Sequence, residues 1–107
     1  MSELIDAFCR HLGSDPAAAA ALFAPRARLI VPLPGGAQAV VGRRRIRAFL
    51  ARAPRGLKFH PLACKRIGDD WFAEIAVSGG PEPVVEGARF TVQHGRLTEL
   101  EMLAAAD

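Results

Sequence analysis

Apolar positions recur every three or four residues in the first half of the chain and every second residue in the other half, which predicts helices first and strands after. Leu4, Ile5, Phe8 and Leu12 fall on one helical face with Asp6 and Arg10 opposite. Gly13 stands where a helix end favours a left-handed residue, so the first helix is expected over 3–12. Asp15-Pro16 is a cap followed by a first-turn proline, and Pro25 closes an alanine-rich run that carries Leu22 and Phe23; the second helix is expected over 16–24. Arg28 to Leu33 reads as a strand, Pro34-Gly35-Gly36 as a turn and Ala39-Val40-Val41 as a further extended piece. After Gly42, the stripe of Ile46, Phe49 and Leu50 with arginines opposite predicts a third helix over 43–52, stopped by Ala53-Pro54.

From Leu57 onward the period is two, and strands are expected over 57–67, 71–79, 84–93 and 96–103, joined by Gly68-Asp69-Asp70, the glycine-proline loop after Gly79, and His94-Gly95. With Asp69-Asp70 as a two-residue turn, Cys64 faces Ile75, Leu62 faces Val77 and His60 faces Gly79, all in phase with Trp71 and Ala73. Lys65 then faces Glu74. An antiparallel meander of this kind must cover its apolar face, and the helices are the cover available. The expected fold is α+β: a half-cone of three N-terminal helices packed on a curved antiparallel sheet, one domain over 1–107.

Composition narrows the function classes. Half of the 107 residues are hydrophobic and 23% are charged, the balance of an ordinary soluble domain. The longest apolar run, Ala17–Ala24, is too short to span a membrane, and Met1-Ser2-Glu3 lacks a basic leader, so no membrane partner and a cytoplasmic location are expected. Cys9, Cys64 and the three histidines show no ligand spacing, which predicts no metal, no disulfide framework and no cofactor. The net charge is +3. Twelve of the fourteen basic residues are arginine, six of them between Arg43 and Arg55, read as a solvated helix face; with no tyrosine to stack bases, no nucleic-acid partner is expected. Phe72 and Ile67, beside Lys65 and Glu74 on the outer sheet face, predict a homodimer through that face.

Three strings carry a family resemblance: Asp15 through Leu22-Phe23-Ala24-Pro25 to Ala27-Arg28-Leu29; Val41-Gly42 into Ile46-Arg47-Ala48-Phe49-Leu50; and Phe90-Thr91-Val92-Gln93-His94-Gly95-Arg96-Leu97. In this order they resemble the NTF2-like (cystatin-like) superfamily of ketosteroid isomerases and SnoaL-like polyketide cyclases. The resemblance implies a cone whose activity is decided by what lines its hollow. Where ketosteroid isomerases place a tyrosine oxyanion donor, this chain has Phe8; where they place the aspartate base, it has Val31 or Pro32; only their second acid has a counterpart, Glu86. Proton shuttling needs a base and an oxyanion donor, so steroid isomerisation is not expected. Nor can the aspartate-arginine-aspartate set of limonene epoxide hydrolases be placed on inward positions. The stretch from Leu33-Pro34-Gly35-Gly36 to Phe49-Leu50 is similar to SnoaL-like domains fused to some sigma factors, where the domain is regulatory.

Two residues are the catalytic candidates. Glu86 shares the phase of Ala88 and Phe90, which points its carboxyl to the apolar side as an acid or base or as a structural hydrogen-bonding group, unless a one-residue bulge near Gly87 turns it to solvent. His60, in the register above, would stand at the mouth of the hollow, although Pro61 beside it signals an edge or bulge. The hollow is expected to be lined by Phe8, Leu22, Phe23, Phe49, Ile75, Val77, Phe90, Leu100 and Met102 and to hold a small, mainly apolar molecule. The chain is then either an isomerase- or cyclase-like enzyme using Glu86, or a non-catalytic ligand-sensing module.

Overall fold

A computed structural model describes residues 3–52 and 56–103. Its first helix, α1 (Glu3–Leu12), buries Ile5, Phe8, Cys9 and Leu12 along one stripe, with acidic residues in its first turn and Arg10 and His11 in its last, as the helix dipole favours. The second, α2 (Pro16–Ala21), is capped by Asp15, whose carboxylate accepts from the Ala18 N–H at 3.1 Å. It ends three residues earlier than its apolar run suggests. Phe23 opens strand β1 (Phe23–Leu33) instead, pairs with Leu97 and is fully buried, while the Leu22 carbonyl accepts from the Leu97 N–H at 2.9 Å. Pro25 therefore lies inside a strand, where a register shift between Phe23 and Arg28 absorbs it.

After β2 (Gly36–Val41), the third helix α3 (Arg43–Leu50) buries Ile46 and Leu50. The proline stop expected at Ala53-Pro54 lies outside the described residues. Strands β3 (Lys58–Ile67), β4 (Asp70–Ser78), β5 (Val84–Gln93) and β6 (Arg96–Leu103) form the expected meander, and the sheet order is β2-β1-β6-β5-β4-β3. The sheet is mixed rather than antiparallel throughout, because β1 and β6 pair in parallel. The segment containing α3 carries the chain from one edge of the sheet to the other, and the returning meander brings β6 beside β1 in the same direction.

The β3–β4 turn is Gly68-Asp69, with Ile67 opposite Asp70 and Gly68 at φ 64°, one step earlier than Asp69-Asp70. Cys64 accordingly faces Ala73, and Lys65 faces Phe72 rather than Glu74. A bulge between Pro61 and Ala63 then flips the strand: Phe59 faces Val77, and His60 faces Ala76. The core between sheet and helices centres on Phe8, whose ring meets Phe23 and Phe90 edge-on, each at 5.7 Å between centroids. Gly13 is required for close approach, since a Cβ there would run into the Leu57 carbonyl oxygen. Across the outer face, Arg89 bonds Glu99 at 2.7 Å, Glu101 at 3.1 Å and Thr91 at 2.9 Å, and the Thr91 hydroxyl donates to Asp70 at 2.6 Å. Among the described residues no helix is long and apolar enough to cross a membrane.

Candidate functional site

Sheet curvature leaves a hollow of about 380 Å3 between the inner sheet face, the end of α1 and the end of α3. Each wall follows from the local period. Phe8 and Leu12 are one turn apart on α1; Phe49 and Leu50 end α3; Leu29 and Val31 are alternate residues of β1, with Pro32 at its rim; Leu100 and Met102 are alternate residues of β6. Phe59, Glu86 and Leu103 complete the lining. Phe49 and Leu103, 38% and 39% exposed, mark the mouth.

Glu86 lies opposite Ile75 in the inward phase of β5 and is half-buried at this lining. Among the described residues no group hydrogen-bonds or ion-pairs with its carboxylate. Along the lining it is the one ionisable side chain, the other described residues there being apolar.

Of the residues expected to line the hollow, Phe8, Phe49, Leu100 and Met102 do so. Phe23, Ile75, Val77 and Phe90 are instead buried in the solid core, and Leu22 packs against that core from the α2–β1 junction. The tip of the cone is filled with these side chains, so the open volume is displaced toward its mouth. His60 is exposed on the opposite face of the sheet and takes no part in the hollow. Phe59, which the sequence reading passed over, takes that place; the signal was Pro61, whose bulge reverses the phase. Val31 and Pro32, the positions matched to a catalytic base, do line the hollow beside Phe8 and Glu86 but bring no titratable group.

The two thiols are not activated. Burial, then the Asp6 carboxylate, then Cys64 push the Cys9 thiol up to about 12, and burial followed by Asp6 raises that of Cys64. Among the described residues no group of three or more histidine, cysteine or acidic side chains could hold a metal ion.

Comparison with known proteins matches residues 2–100 to the model of a family described as the SnoaL-like domain. No curated protein matches. Among solved structures, a Catenulispora acidiphila protein with a ketosteroid isomerase-like fold, in complex with trimethylamine, superimposes with a TM-score of 0.80 at 18% identity, covering 98% of this chain and 87% of that one. A candidate polyketide cyclase of Sinorhizobium meliloti gives 0.79 at 24% identity, covering 96% and 95%. An NTF2-like protein of Burkholderia xenovorans gives 0.79 at 17%, covering 94% and 79%. At these identities the likeness shows the fold alone.

Proposed function

The chain belongs to the SnoaL-like domain family, and from that premise we propose that its hollow binds one small, mainly apolar organic molecule, with Glu86 as the polar contact that orients it. The observation that carries this reading is an open apolar cavity with a single carboxylate among its described lining residues. Buried hydrocarbon supplies affinity at roughly 25 cal/mol per Å2 removed from water, and the carboxylate supplies direction. The experiment is a titration with small alicyclic and aromatic compounds, read by methyl NMR. Shifts concentrated on Leu29, Leu100 and Met102 support the reading; shifts spread over the outer surface alone overturn it.

Catalysis on this hollow would use Glu86 as the acid or base of a proton transfer on a carbonyl compound, the isomerase- or cyclase-like reading. The opposing reading is a ligand-sensing module, and the lining favours it: beside Glu86 the described residues offer no side-chain donor for a developing oxyanion. Turnover that disappears in Glu86→Gln would establish the enzyme, whereas tight binding without turnover would establish the module. On either reading, a β,γ-unsaturated ketosteroid is expected to pass unchanged, because Phe8 cannot donate a proton and Val31 cannot accept one.

A further inference from the structure

We propose that the molecule taken by the hollow is an organic cation, a compact hydrocarbon bearing one protonated amine. The inference rests on the hollow being a binding site and adds the chemical class of its ligand. The chain carries fourteen lysines and arginines and a net charge of +3, yet the described lining of the hollow holds none of them. On α3 the separation is plain: Phe49 and Leu50 line the hollow, while Arg43, Arg44 and Arg47 border a separate depression against α2. The site that results is negative inside a positive protein.

Two features of the site select a cation. First, Glu86 is partly withdrawn from water without any protein donor among the described residues. A carboxylate in that state gains most from a ligand that brings both N–H donors and opposite charge, since charge-assisted hydrogen bonds are about twice as strong as neutral ones. A carboxylate or carbonyl on the ligand would meet only lone pairs there, and an alcohol could donate one hydrogen bond without charge. Second, Phe8, Phe49 and Phe59 all contribute to the walls, and aromatic rings attract ammonium groups to their faces.

The test uses the full chain and three probes that share a ring and differ only in the tip: cyclohexylmethylamine, cyclohexylmethanol and cyclohexanecarboxylate. By titration calorimetry near neutral pH and low salt, the amine is expected to bind at least about tenfold more tightly than the alcohol, and the carboxylate more weakly than either. Glu86→Gln, with circular dichroism as the check on folding, is expected to abolish the preference for amine over alcohol. In the unmodified chain, raising the ionic strength to about 1 M, where the screening length falls to about 3 Å, is expected to narrow it. Equal affinity for amine and alcohol, or a preference that survives in Glu86→Gln, overturns the assignment of a cation and leaves the hollow standing as a binding site. Binding of none of the three overturns both.

Discussion

Cys9 shows how far the surroundings of one side chain decide its chemistry. Only 2% exposed on the inner stripe of α1, its thiol stays protonated up to about 12, against an ordinary value of 9.0. Between those values the unfolded chain releases the proton and the folded chain keeps it, so unfolding becomes easier as pH rises. Stability from this group is fully present below pH 9.0 and declines toward about 12. Urea unfolding of the parent and Cys9→Ala across that range is expected to show it: the parent falls more steeply, and a constant difference between them would mean that water reaches the thiol. Thiol reagents are correspondingly expected to modify the half-buried Cys64 before Cys9 at neutral pH.

At the scale of elements, α3 does two jobs with two faces. Its inward stripe closes the hollow, and Arg43 at its start donates from Nε and Nη2 to the Phe23 carbonyl at 2.9 and 2.7 Å, tying the helix to the first residue of β1. Among the arginines read as solvated, Arg43 is thus a structural brace, whereas Arg44, Arg45 and Arg47 remain exposed. Arg43→Ala is expected to lower stability by about 1–3 kcal/mol, the effect of losing charged hydrogen bonds to a buried carbonyl, and Arg44→Ala to stay within about 0.5 kcal/mol of the parent. Denaturant midpoints of the two variants check this; equal midpoints would show that the brace contributes nothing.

Across the whole molecule, charge is segregated along the chain. Residues 16–68 contain no aspartate or glutamate and hold eleven of the fourteen basic residues. On their outer face the central strands β4 to β6 carry Asp70, Glu74, Glu99 and Glu101, with Arg89 bonded among them. The outer sheet face combines this acidic centre with Lys65 on the β3 edge and with exposed Phe72 and Ile67. A second copy of the chain, crossing so that basic edge meets acidic centre, would cover the apolar residues and pair the charges. Light scattering is expected to return twice the 11.4 kDa of one chain, and Phe72→Glu to return the single mass. A single-chain mass for the parent across a wide concentration range would exclude the dimer.

Local sequence determined much of this protein. The helical stripe of α1, the Asp15-Pro16 cap, the meander from β3 to β6 and the His94-Gly95 turn, both residues at positive φ, all follow from interactions within a few residues, so their period and turn chemistry are legible before any tertiary contact. The inward phase of Glu86 was legible for the same reason, since β5 keeps strict alternation from Glu86 to Phe90. Tertiary structure decided the rest. Phe23 leaves a helix-forming alanine run because pairing with Leu97 buries it completely, and β1 joins β6 in parallel because of a connection running the width of the sheet. His60 and Phe59 exchange faces at one bulge, a shift of a single residue that reverses every side chain beyond it. Which apolar residues fill the core and which line the hollow depends on sheet curvature, and curvature is a property of strands packed together that no single strand encodes.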